Sequence, residues 1–243
     1  MEKLKADSLV ELLHERKSPA RKRTNEWFFK TGKGEYGEGD IFIGLSNPDV
    51  RELTKMFLKM EFGEIEYLLK DKIHEIRFAG LIILTENASK AYAKKDKQRL
   101  KEIADFYLKH ISAANNWDLV DLSCYKILGS AILLGIYDLD ILDKLSDSQG
   151  LWDRRIAMVS TLAFIKMKNI YPSLTLAKKL LDNKEDLMHK AIGWMLREAW
   201  KVDNGTVEEF ILENYSSIPR TALRYAIERM DESKRQDFLK WKG

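Results

Sequence analysis

The chain has 243 residues, 45% of them hydrophobic and 33% charged, which is enough to bury a substantial core under a well-charged surface. Its one cysteine excludes an intramolecular disulfide, and no stretch reads as long and apolar enough to span a bilayer. A net charge of +3 excludes a uniformly basic polyanion binder, so any such surface must come from how the charges are placed.

The start, Met1-Glu2-Lys3-Leu4-Lys5-Ala6-Asp7, lacks the apolar run of a signal peptide, and a cytoplasmic protein with no membrane partner is expected. Leu4, Leu9, Leu12 and Leu13 predict a first helix. Arg16, Lys17, Arg21, Lys22 and Arg23 follow as a solvated helix face that could also extend a polyanion footprint. From Lys30 to Pro48, Gly32, Gly34, Gly37, Gly39 and Gly44 predict a loop inside a single domain covering 1–243. It lacks the Gly-Lys-Ser/Thr of a phosphate-binding loop and reads as a flexible connection. Tyr67-Leu68-Leu69, Ile73, Ile76 and Leu81-Ile82-Ile83-Leu84 predict further helices, and no alternating pattern is long enough for a sheet. Prolines occur only at Pro19, Pro48, Pro172 and Pro219, so the chain reads as all-α.

Five segments share a pattern in which a basic residue, or its substitute, leads into a helix rich in small residues. Aligning Arg77, Asp121, Arg155, Lys190 and Arg220 gives spacings of 44, 34, 35 and 30 residues. That is the length of a helix-pair repeat of HEAT or armadillo type. Stacking such pairs into a solenoid predicts a concave basic groove, with the aligned positions forming a column of cations broken by one anion, Asp121.

Cations along a groove suit a phosphate backbone, whereas a carboxylate among them weakens plain binding. Asp121 makes chemical sense there if a positive charge must be stabilised, such as a cationic base or an oxocarbenium-like sugar. Trp117 precedes Asp121 by four residues, so on a helix both leave the same face. An indole beside a carboxylate favours a flat cationic group. The plainer alternative is that Asp121 pairs with an arginine or caps a helix while the tryptophans pack in the core.

Five segments in order resemble the AlkD-like DNA alkylation-repair glycosylases, a HEAT-like repeat family. They are Phe42-Ile43-Gly44 with Pro48 and Arg51, Asn116-Trp117-Asp118-Leu119-Val120-Asp121, Trp152-Asp153-Arg154-Arg155-Ile156-Ala157, Lys190-Ala191-Ile192-Gly193-Trp194-Met195-Leu196-Arg197-Glu198, and Pro219-Arg220-Thr221-Ala222-Leu223-Arg224-Tyr225-Ala226. The resemblance implies a base-excision enzyme that removes cationic N3- and N7-alkylated purines from double-stranded DNA. It places the essential carboxylate on Asp121, lesion and sugar contacts on Trp117 and Trp194, and backbone-facing arginines on Arg155 and Arg197. Arg154, Lys190, Arg220 and Arg224 extend the expected backbone contacts. The chemistry requires no lysine nucleophile, so release without strand cleavage is expected, from a monomer.

Other chemistries find little support. His14, His74, His110 and His189 lack metal-ligand spacing, and Cys124 reads as buried packing; neither a metal nor an organic cofactor is expected. Trp152 reads as packing between repeats. The competing functional class is a non-catalytic HEAT-like scaffold that binds DNA or protein, because such folds do not by themselves establish catalysis.

Overall fold

The structure is a computed structural model that describes residues 4–241. Met1 to Lys3, which open the segment expected to hold no leader, lie outside the described residues. Helices account for the regular structure, and no strand occurs among the described residues beyond an isolated bridge between Ile41 and Ile73. No helix among them is long and apolar enough to cross a membrane. The chain divides into two compact units, Met1–Ile127 and Leu128–Gly243.

The first unit is built around the 20-residue helix His74–Ala93, which is buried without interruption from His74 to Thr85. A helix covered on all sides must be central. The helices Asn47–Thr54, Phe62–Leu69, Lys97–Lys109 and Trp117–Cys124 all pack against it. Ala6–Glu15 closes the core with Leu9 and Leu13, both fully buried, while Leu4 precedes the helix and Leu12 is half-buried.

The predicted loop is real but short of its expected end. Asn47–Thr54 begins before Pro48, which occupies the first turn where its missing N–H costs nothing. Ser46 caps this helix and Asp49 returns the bond, a reciprocal capping box. Nor is the loop a loose connection. The buried carboxylate of Glu75 accepts the backbone N–H groups of Ile43, Gly44 and Leu45 at 3.1, 2.8 and 3.2 Å. Gly44 has φ +91°, and a Cβ there would lie 2.1 Å from the carbonyl oxygen of Ser18, so only glycine lets the loop approach the start of the neighbouring helix so closely.

In the second unit, helices Leu151–Ser160, Asp186–Trp200 and Arg220–Ala226 pack in succession, each on the next. Tyr171–Leu180 and Asn204–Glu213 are the partners between them. This nearest-neighbour order is that of helix-pair repeats. Gly193 allows the closest approach: a Cβ there would lie 2.4 Å from the Ala222 carbonyl oxygen. Ile156, Met188, Ile192, Met195 and Leu196 fill this core.

Candidate functional site

Trp117 and Asp121 both lie on the helix Trp117–Cys124, one turn apart, as their spacing predicted. Both are half-buried, between core and solvent. The helix begins at Asn116, whose side-chain oxygen accepts the N–H of Trp117 at 2.8 Å. Beyond Cys124, which is fully buried, the chain runs into a π-helical turn, Tyr125–Gly129.

The indole of Trp117 rests on aromatic rings from the end of the helix Pro19–Phe28. It stacks on Phe29 with centroids 5.4 Å apart and meets Phe28 edge-on at 5.8 Å. Phe29 stacks in turn on Phe42, and Phe42 on His74, at 5.0 and 4.5 Å. This row fixes the plane of the indole and ties it to a buried charge cluster.

That cluster centres on His74, at the start of the central helix. Its Nδ1 lies 2.9 Å from a carboxylate oxygen of Asp40, and its Nε2 lies 3.0 Å from one of Asp118. Two acceptors on two ring nitrogens require both nitrogens to carry hydrogen, which is the imidazolium. Burial alone would lower its pKa, but Asp118 and then Asp40 outweigh that and raise it to about 9. Burial pushes the Asp40 carboxyl up, yet the His74 hydrogen bond and charge, with Arg77 and Asn116, hold it below its usual value.

The cluster locks the start of the helix that carries Trp117 and Asp121. Asn116 donates to Asp40 at 3.1 Å, and Asp118 also accepts the N–H of Leu119 at 2.9 Å. Arg77 binds Asp40, the side chain of Asn115 and the carbonyls of Asp71 and Ala113. Asp40 therefore pins the end of the Gly-rich segment to two helices at once, His74–Ala93 through His74 and Arg77 and Trp117–Cys124 through Asn116. A polar hollow of about 410 Å³ beside it is lined by Asp40, Lys70, Lys72, Arg77, His110 and Asn115 among others; Trp117 and Asp121 do not line it.

Sequence reasoning passed over Asp40, quoted Asn116 and Asp118 only as parts of a motif, and gave His74 no role of its own beyond failing as a metal ligand. The helix-capping pattern at Asn116 was a local signal. Their mutual contacts had none, because partners 34 to 76 residues apart meet only on folding.

One expectation is corrected. Arg77 was aligned with an open column of cations, but it is 5% exposed and its guanidinium is spent on Asp40 and backbone carbonyls. Arg155, expected to face a phosphate backbone, is 4% exposed and donates from Nη1 to the Leu187 carbonyl at 2.6 Å, which braces its helix against the next. A planar fork suits such buried carbonyl contacts.

The remaining candidates lie in the second unit. Trp194 is half-buried, directly after Gly193. Arg154 binds the Ser148 carbonyl and Glu185, with little exposure. Arg197 pairs with Glu198 and Glu228, and Lys190 with Asp186 one turn earlier. Arg220 reaches the Tyr215 hydroxyl and the Leu239 carbonyl, and Arg224 is exposed. Among the described residues, no group of three or more His, Cys, Asp or Glu side chains is placed to hold a metal ion.

Comparison with known proteins accords with this architecture. A structure from Enterococcus faecalis, described as a predicted DNA alkylation repair enzyme, superposes with a TM-score of 0.68 at 20% identity. The match covers 89% of this chain and 97% of that one, and it establishes the likeness of fold. No curated protein matches by sequence. The family model for DNA alkylation repair enzymes matches residues 9–230, nearly the whole length, and the chain therefore belongs to that family.

Proposed function

We propose that the protein is a monofunctional DNA glycosylase that hydrolyses the N-glycosidic bond of cationic N3- and N7-alkylated purines in duplex DNA. The observation that carries this reading is the pairing of Trp117 and Asp121. Both are half-buried on one turn of a helix whose start is held by buried charges. A helix locked in this way holds a reactive carboxylate in place.

Alkylation at N3 or N7 gives the purine a positive charge. When the bond from C1′ to the purine nitrogen breaks, the base takes the electron pair and leaves neutral, so no strong general acid is needed. Positive charge then develops on the sugar. The Asp121 carboxylate stabilises it and orients a water, which forms the new bond at C1′ and gives its proton to the carboxylate or to solvent. The products are a free base and an abasic site. Trp117 supplies apolar and cation–π contact to the sugar and lesion edge.

The second unit, taken by itself, carries further candidates for DNA contact. Trp194 is proposed for sugar contact, and Arg197, Lys190, Arg220 and Arg224 for phosphates. Arg197 and Lys190 would exchange partly exposed carboxylate partners for phosphate at little cost. Arg154 would first have to release the Ser148 carbonyl and the partly exposed Glu185, and Arg155 the Leu187 carbonyl.

The test is a duplex carrying one 7-methylguanine, treated with alkali after incubation to reveal abasic sites. Breaks are expected only after alkali, with single-turnover release falling at least about 100-fold in Asp121→Asn. Wild-type binding without release from this or a 3-methyladenine duplex would favour the scaffold reading instead.

A further inference from the structure

The net charge of this chain is low for a protein that must hold DNA, but it is unevenly placed. Between residues 16 and 33, Arg16, Lys17, Arg21, Lys22, Arg23, Lys30 and Lys33 are opposed by one carboxylate, Glu26. Seven cations less one anion leave +6 on this segment; the whole chain carries +3, so the other residues sum to −3. Glu35 and Glu38, just beyond, turn their carboxylates onto the loop N–H groups of Gly32 and Gly34.

The helix Pro19–Phe28 inside this segment has no buried residue, although Ser18 caps it and the Gly44 loop lies against its start. Arg16, Lys17, Arg21 and Arg23 are exposed. The ion pairs here are long: Arg16 to Glu52 at 3.6 Å and Lys22 to Glu26 at 3.7 Å. Such pairs leave the cations available to a phosphate. At its C-terminal end the helix presents two aromatic side chains to solvent, Trp27 at 72% and Phe28 at 52% exposure. Lys30 sits over the Trp27 ring at 5.2 Å, and Phe28 touches Trp117.

Resting on the glycosylase reading above, we propose that the segment from Arg16 to Lys33 is the main electrostatic anchor for duplex DNA. The cations of the helix grip one stretch of phosphate backbone, and Trp27 and Phe28 meet the duplex where it reaches Trp117. Charge complementarity selects a polyanion, because the chain's excess of cations is concentrated in this segment. Exposed aromatic rings among the cations add apolar contact with sugars and base edges. The location is functional for a second reason: the same helix leads directly into the rings that support Trp117.

The experiment measures binding of the intact protein to an undamaged duplex by fluorescence anisotropy over a series of salt concentrations, so it does not depend on base release. Arg21→Gln/Lys22→Gln/Arg23→Gln is compared with Lys94→Gln/Lys95→Gln/Lys97→Gln, an equal reduction of charge on exposed residues elsewhere. The first variant should bind roughly ten-fold more weakly for each phosphate it no longer holds near 0.1 M salt, and its log–log salt slope should shallow by about one per phosphate. The second should change little. Trp27→Ala should weaken binding several-fold with the slope unchanged, since it removes no charge. Circular dichroism confirms that each variant is folded. Equal weakening by the two triple variants would overturn the proposal while leaving the glycosylase reading intact. Failure of the wild-type protein to bind duplex at any salt would overturn both.

Discussion

Asp118 and Asp121 lie three residues apart on one helix and differ in burial. Asp118 is 6% exposed and bound to the His74 imidazolium, so its charge is spent inside the protein. Asp121 is half-buried, where a carboxylate can meet a substrate. Removing charge at the two positions should therefore separate structure from activity. Asp121→Asn should leave the melting temperature within a few degrees while base release collapses. Asp118→Asn should cost about 3 kcal/mol by unpairing one side of His74, visible in urea denaturation. Trp117→Phe should keep the stack on Phe29 and fold normally, whereas Trp117→Ala should lose about 2–3 kcal/mol and slow release as well. The i, i+4 relation of Trp117 and Asp121 was legible from spacing alone. The contrast between the two aspartates was not, because identical side chains acquire different roles only from what folds against them.

At the scale of elements, the unusual component is a helix start held by charge. His74 titrates in the folded state at about 9 against an ordinary 6.5, so the folded protein binds this proton more tightly than the unfolded chain. The resulting stability is complete below about pH 6.5 and is lost as pH rises through 9, on the order of 3 kcal/mol in all. Urea midpoints measured from pH 6.5 to 9.5 should fall for the wild type and stay nearly flat for His74→Gln, which starts lower. A flat wild-type profile would mean that His74 carries no charge in the folded protein. In the second unit, Gly193→Ala would press a methyl group into the Ala222 carbonyl and part Asp186–Trp200 from Arg220–Ala226. A loss of about 1–3 kcal/mol is expected, seen as a fall of several degrees in Tm. The need for glycine at 193 could not be read from a helical pattern in which any small residue would fit.

At the scale of the molecule, the proposed chemistry sets the selectivity. No general acid is assigned, so bases without a positive charge should remain attached: a duplex with hypoxanthine or uracil should give no alkali-labile sites under conditions that release 7-methylguanine. No lysine is assigned as nucleophile, and borohydride should trap no covalent complex. The appearance of a trapped adduct would replace the hydrolytic step with a Schiff-base route.

Helical class and the one-turn spacing of Trp117 and Asp121 were determined by the sequence itself. Each depends on the 3.6-residue period, which acts between near neighbours and is written in the order of residues. Charge placement was equally open to reading, since the excess of cations from residue 16 to 33 is a count along the chain. Only the tertiary structure decided which charges face water. Arg77 looked like a member of a binding column and proved to be an interior brace, and the Gly-rich segment looked loose and proved to be tied down by Asp40 and Glu75. A buried charge is tolerated only where a partner meets it, and the partners here come from distant parts of the chain, as Asp40 and Asn116 do.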